Sequence, residues 1–261
     1  MHRSKIKIVN LKKQFSDTGR YITDGLTLDI PEGKLTCIIG RSGEGKSVLL
    51  KQIIGLIEPT SGSIFVDGKD TVGLVGKDRI SNFKKFGYVF QSAALLDSLT
   101  VFENIGIVDL EDGIDPALVR KRVQEKLSLV DLDQSTIDKY PSELSGGMKK
   151  RVDLARTLMG NPEIILYDEP TTGLDPITVK VVHELISSMQ KKLNVTSVVI
   201  SHDVDIFNYA DKVALLYEGK IETELSAQGI WESQDPYIYQ FIRGLPHGPI
   251  QLEHVVIKNK A

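Results

Sequence analysis

The stretch Gly40-Arg41-Ser42-Gly43-Glu44-Gly45-Lys46-Ser47 constrains this chain more than any other, because it sets three glycines and a lysine between two apolar segments of different period. Leu35 to Ile39 before it reads as a buried strand, and Val48 to Ile57 after it carries apolar residues at helical spacing. A glycine-rich loop at a strand-to-helix junction is a phosphate cradle. Its backbone N–H groups turn inward around phosphate oxygens, and the helix N-terminus adds partial positive charge. In that geometry Lys46 reaches the β and γ phosphates and Ser47 offers a hydroxyl to Mg²⁺. Arg41, Ser42, Glu44 and Val48 fall within the expected nucleotide-binding stretch.

With 261 residues, 41% of them hydrophobic and 26% charged, the chain is long enough for one domain with subdomains. Its 32 basic and 35 acidic residues are spread along it and leave a net charge of -3, which gives no electrostatic footprint for nucleic acid. Cys37 is the only cysteine and sits inside the apolar strand, so it reads as a small buried hydrophobe. Met1 to Val9 alternates charged and apolar residues, the pattern of an exposed edge strand and not of a signal peptide. No run approaches the ~20 apolar residues that span a bilayer, so we expect a soluble, cytoplasmic protein whose membrane role comes through a partner.

Strand-like runs are expected at Ile6 to Val9, Leu26 to Ile30, Ser63 to Val66 and Phe86 to Phe90, the last ending at Gln91. Phe15, just before a turn, either belongs to the core or stacks on an adenine base. From 92 to about 160 helical periodicity dominates and predicts a helical insert, with Leu118, Val119, Val123, Leu127 and Val130 on one face. Ser145-Gly146-Gly147-Met148 ahead of a helix is a second anion-friendly terminus, and Lys149-Lys150 reads as its solvated basic face.

Ile164 to Asp168 is a hydrophobic strand ending in two carboxylates, Asp168 and Glu169, which are costly there unless paired. Beside a phosphate loop, Asp168 holds Mg²⁺ and Glu169 accepts a proton from an attacking water. Pro176 begins a helix whose expected buried face is Val182, Leu185, Ile186, Met189 and Leu193. The strand Thr196 to Ile200 delivers His202 toward the γ-phosphate or the water. Lys212 to Tyr217 and Lys220 to Thr223 read as a hairpin, Ala227 to Ile242 as helical, and Leu252 to Lys258 as strand-like.

Gly40 to Ser47, Gln91, Leu144 to Met148, Ile164 to Glu169, Asp175 and His202, in this order, resemble the full motif series of the ATP-binding cassette (ABC) ATPases. The resemblance implies an α/β P-loop NTPase fold: a RecA-like core, an antiparallel β subdomain and an inserted α-helical subdomain. It implies one nucleotide-binding domain over 1–240, with the helical subdomain at about 92–160, and a C-terminal extension over 241–261. It further implies that Phe15 stacks on adenine, that Gln91 links Mg²⁺ and the water to the helical subdomain, that Glu169 is the catalytic base and that His202 contacts the γ-phosphate. Asp175 matches the aspartate of the loop after the Walker B strand. In this family the Ser145 to Met148 stretch closes on ATP bound to the opposite subunit, so the implied assembly is a homodimer with ATP and Mg²⁺ between two copies.

Gly45 to Lys51, Leu144 to Arg151, Asp168 to Thr178 and the tail Phe241 to Pro249 are most similar to the cassettes of Mla and Mce lipid transporters. Membership there implies an ATPase that drives phospholipid movement through an integral-membrane permease, peripheral on the inner face of the cell's inner membrane, with an Mce-domain lipid-binding protein as a further partner. The alternatives are a cassette for amino acids or another small solute and, from a different class, a non-transport ABC ATPase. The stretch from Gln91 to Glu103, with Leu95, Leu96, Thr100, Val101 and Phe102, is expected to receive the permease. Two positions depart from the pattern. Glu44 stands where a small or apolar residue is usual and is expected to point outward, and Asp153 stands where alanine is common.

Overall fold

The structure, a computed structural model, describes residues 3–15 and 19–251. The strand-like stretch Leu252 to Lys258 lies outside the described residues. The chain opens with strands β1 (Ser4–Gln14), β2 (Tyr21–Pro31) and β3 (Leu35–Ile39), then helix α1 (Lys46–Ile54), the strands β4 (Ser61–Val66) and β5 (Lys69–Asp70), and helix α2 (Gly76–Phe83). Strand β6 (Phe86–Val89) leads into helices α3 (Val101–Glu111), α4 (Pro116–Leu129) and α5 (Gly146–Leu158). There follow β7 (Ile164–Asp168), α6 (Pro176–Leu193), β8 (Thr196–Ile200), β9 (Lys212–Tyr217), β10 (Lys220–Ser226), α7 (Ala227–Glu232) and α8 (Pro236–Arg243).

Six strands form one sheet in the order β10-β9-β3-β8-β7-β6, parallel except for the β9–β10 hairpin. β3, β7 and β8 are buried at every residue, as strands covered on both faces must be. Leu35, Cys37 and Ile39 face the layer that contains α4, α5 and α6, while Ile38 faces α1. Leu49, Leu50 and Ile53 of α1 pack in the same core as Ile6, Ile8, Leu26 and Leu28, so the helix lies between the two sheets.

The second sheet is antiparallel, in the order β2-β1-β4-β5. The N-terminal strand is therefore not an edge, because β1 pairs with β2 on one side and β4 on the other. Its charge alternation marks one wet face, which an antiparallel sheet keeps even for an interior strand. Three helix expectations also change. α1 stops at Ile54, short of Ile57, because Gly55 caps it at φ 83. Leu118 and Leu193 are 52% and 37% exposed, so neither belongs to the buried face assigned to it. Residues 92–100 precede the helical region as a loop. The buried Asn104 amide donates to the carbonyls of Leu96 (3.0 Å), Leu99 (2.9 Å) and Thr100 (3.0 Å) and accepts from Leu96 N (2.8 Å), pinning that loop to the start of α3.

Candidate functional site

The phosphate loop takes its form from its neighbours. A Cβ at Gly40 would fall 2.5 Å from the Leu216 carbonyl oxygen of β9, and one at Gly45, at φ 88, would fall 2.3 Å from Ile22 Cγ2. Gly45 caps α1 without a side-chain hydrogen bond, so no cap side chain claims the first N–H groups of the helix. The Lys46 ammonium donates to the carbonyls of Gly40 (2.9 Å) and Arg41 (2.8 Å) and lies 3.9 Å from Glu169 Oε1. Burial lowers its pKa, against the opposing pull of Glu169, Glu44 and Asp168.

Asp168 is 8% exposed and both its oxygens are engaged. Oδ1 accepts from Ser47 Oγ at 2.7 Å, and Oδ2 accepts from the Tyr88 hydroxyl at 2.9 Å. The next residue turns sharply. Of the described non-glycine residues at positive φ, five are Asn or Asp, which tolerate that region; the other two are Glu169 and Glu218. Glu169 is held by its N–H to the Ile200 carbonyl (3.0 Å), which the parallel register of Asp168 beside Ile200 brings into reach. Its carboxylate accepts from Thr172 Oγ1 at 3.1 Å and faces the exposed His202, whose Nδ1 is 3.6 Å away.

No group of three or more His, Cys, Asp or Glu side chains suited to a metal occurs among the described residues. The hydroxyl–carboxylate pair of Ser47 and Asp168 nevertheless fits Mg²⁺, which takes one or two protein oxygens and completes its shell with phosphate and water. Gln91, just past β6, has an exposed side chain, and its backbone carbonyl accepts from Lys150.

Glu44 is tied to the neighbouring strand turn while still close enough to Lys46 to act on its charge. Its Oε2 accepts from the Glu218 N–H (2.9 Å) in the β9–β10 turn. A cavity of about 360 Å³ opens beside it, lined by Tyr21, Ile22, Gly43, Glu44, Glu218 and Gly219 among others. Phe15 does not line that cavity; its ring sits 5.0 Å from the Lys13 ammonium. Arg41 reaches the carbonyl of Gln251.

Ser145 caps α5 by accepting from Met148 N (3.3 Å) and is exposed, with Gly146 beside it. A Cβ at Gly147 would meet Thr178 at 2.7 Å. Asp175 caps α6, accepting from the N–H groups of Ile177 and Thr178 (both 3.1 Å) and from the Thr178 hydroxyl (2.5 Å), and these bonds hold its carboxyl below the usual range. Among the described residues no hydrogen bond or ion pair joins Ser145 to Met148 with Gly40 to Ser47 of the same chain. One expectation fails here: Lys150 is not solvated but 7% exposed, turned inward onto the carbonyls of Phe90 and Gln91. Sequence reading also missed Tyr88 and Glu218, which reach the site only through sheet topology, and Thr172, which meets Glu169 within the turn that follows β7.

The ABC transporter family profile matches residues 23–172. The intermembrane phospholipid transport system ATP-binding protein MlaF of Haemophilus influenzae is 37% identical over 256 residues, 97% of this chain and 96% of that one. The methionine import ATP-binding protein MetN of Carboxydothermus hydrogenoformans is 41% identical over 202 residues, 77% of this chain and 60% of that one. A dimeric ATP-binding cassette in a post-hydrolysis state, bound to ADP and Pi, matches at TM-score 0.77 and 31% identity over 85% of this chain and 98% of that one. The cassette cbiO1 of Clostridium perfringens, part of the cbiONQ transporter complex, matches at TM-score 0.81 and 30% identity over 93% of this chain and 96% of that one. With its phosphate loop, paired carboxylates and two-sheet architecture in the arrangement described above, the chain belongs to the ABC transporter family and is an ATP-hydrolysing cassette.

Proposed function

We propose that this chain powers phospholipid transport, working as a homodimer beneath a permease on the inner face of the inner membrane, with an Mce-domain lipid-binding protein as a further partner. The observation that carries this reading is the end-to-end likeness to a relative named for intermembrane phospholipid transport, over 97% of this chain and 96% of that one, where the methionine-import relative is covered over only 60% of its length. Residues 1–240 form the cassette, with the helical insert near 92–160, and 241–261 form its extension. No helix among the described residues is long and apolar enough to cross a membrane.

In this reading the loop Gly40 to Ser47, with Val48 behind it, binds the phosphates and Phe15 stacks on the adenine. Ser47 and Asp168 hold Mg²⁺ and Gln91 contacts its shell; the ion, when bound, neutralises phosphate charge as it develops. Glu169, fixed by Thr172 and by the Ile200 carbonyl, accepts the proton of the attacking water. His202 contacts the γ-phosphate beside it, and Ser145 to Met148 with Asp175 of the second copy close the site. Within the stretch from Gln91 to Glu103, Leu96, 50% exposed, forms the permease contact with the partly buried Leu95 and Phe102, whereas Val101 is fully buried and Thr100 caps α3. Purification of the native complex from membranes tests the assignment. We expect a permease and an Mce-domain protein to accompany this subunit, and recovery of a soluble solute-binding protein in their place would sink it.

A further inference from the structure

Lys150, Asp153 and Arg156 lie at i, i+3 and i+6 on α5, turned toward the loop that follows β6. Lys150 is 7% exposed and Asp153 fully buried. The Lys150 ammonium donates to the Gln91 carbonyl and, at 3.4 Å, to that of Phe90. Arg156 donates from Nη1 to the Ala94 carbonyl (2.5 Å) and from Nη2 to Asp153 Oδ1 (2.5 Å). Three carbonyls of residues 90–94, a stretch in neither helix nor strand, thus find their donors on one helix. Burial raises the Asp153 carboxyl, against the pull of Arg156 and Lys150, and burial lowers Lys150, against the pull of Asp153. The carboxylate bonds Arg156 and attracts Lys150, which offsets the like charge of the two cations beneath the loop.

A helix does not need this arrangement to be stable. Apolar side chains of similar volume would pack there without the desolvation cost of three charges. What the charges add is direction: the two cations aim at specific backbone oxygens of the loop, and the Asp153 carboxylate holds the Arg156 guanidinium. The same helix begins at Ser145, and Lys150 lies only about 7 Å further along its axis at 1.5 Å per residue.

We propose that Lys150, Asp153 and Arg156 are positioning residues that fasten the Gln91 loop to the helix beginning at the Ser145 to Met148 stretch, so that both shift as one body. The inference rests on the roles assigned above to Gln91 and to that stretch. It accounts for Asp153, which the family resemblance left as an unexplained departure.

The test uses the full chain and two readouts, amide hydrogen exchange and steady-state ATPase kinetics. Lys150→Met keeps the apolar stem, which lines a small cavity with Leu154, Tyr167 and Val182, and removes only the ammonium. Asp153→Asn keeps the side-chain shape and one acceptor oxygen while removing the charge. In both variants exchange at residues 90–96 should quicken by about tenfold while that of 146–158 is unchanged. kcat should fall by about tenfold with KM for ATP within about twofold, as for other groups that orient a site without touching it. Lys150→Arg should recover most of both losses. Unchanged exchange at 90–96 would overturn the proposal, and so would a loss of protection along the whole of α5, which marks a packing role alone. The exchange comparison needs no turnover, so if the parental chain proved inactive as an ATPase, that failure would be seen separately from a failure of the fastening.

Discussion

Replacing Tyr88 with phenylalanine isolates one hydrogen bond at Asp168, the carboxylate proposed to hold Mg²⁺. The ring stays against Phe90, whose centroid is 4.6 Å away, and only the hydroxyl that donates to Asp168 Oδ2 at 2.9 Å is lost. Burial drives the phenol pKa well up, with Asp168 adding to the effect, so the group remains a protonated donor over the range in which the protein folds. A hydrogen bond to a charged group contributes about 1.5–3 kcal/mol net. Asp168 is 8% exposed, which limits replacement by water, but its other oxygen keeps Ser47 at 2.7 Å, so the lower part of that range applies. Tyr88→Phe should therefore lower the unfolding free energy by about 1.5–2 kcal/mol in urea, with an unchanged denaturant slope. Because the tyrosine orients a ligand, the Mg²⁺ concentration for half-maximal ATPase should also rise by about tenfold. A variant within about 0.5 kcal/mol of the parent, with the same Mg²⁺ requirement, would refute the view that Tyr88 sets the carboxylate.

Glu169→Gln should cut turnover by about 10²- to 10⁴-fold while retaining ATP binding, and hydrolysis at the parental rate would remove Glu169 as the base. Glu44→Ala should cost about 1 kcal/mol of stability by freeing the Glu218 N–H, yet leave ATP affinity within about threefold; a large gain in affinity would mean that the carboxylate faces the phosphates. Asp67 is an acid-side prediction. Burial alone would raise its carboxyl, but Lys5 and Lys85 reverse this and hold it below the usual range. A lowered acid contributes stability above its unfolded value of about 3.9 and loses it as the pH falls through the folded value. The parent's stability advantage over Asp67→Asn should accordingly shrink between about pH 5 and pH 3 in urea titrations, and a constant difference would contradict the pairing.

The parts of the site legible in the sequence are those written into consecutive residues. β3, β7 and β8 announce themselves because burial on both faces demands unbroken apolar runs, and the glycine spacing of the loop together with Asp168-Glu169 at a strand end needs no partner to be recognised. What stayed hidden depends on which strands become neighbours. Tyr88 meets Asp168 only because β6 lies beside β7, and Glu218 meets Glu44 only because β9 lies beside β3. Lys150 belongs to a basic run that reads as solvated, and nothing local reveals that a loop sixty residues upstream passes over it. The interior position of β1 was missed for a similar reason: alternation reports which face is wet and is silent on how many neighbours a strand has.

The neighbours of β3 also order events in time. The strand that ends in the phosphate loop pairs with residues 196–200 on one side and 212–217 on the other, and Gly40 rests on the carbonyl of Leu216. A ribosome therefore makes the loop roughly 180 residues before the backbone that shapes it, a delay on the order of ten to thirty seconds at ~5–20 residues per second. During that interval the nascent chain carries the motif without the site. A fragment ending before Lys212 contains every phosphate-loop residue and the Ile22 side of its seat but lacks the Leu216 wall at Gly40, so the loop reaches its folded form only once synthesis has passed β9.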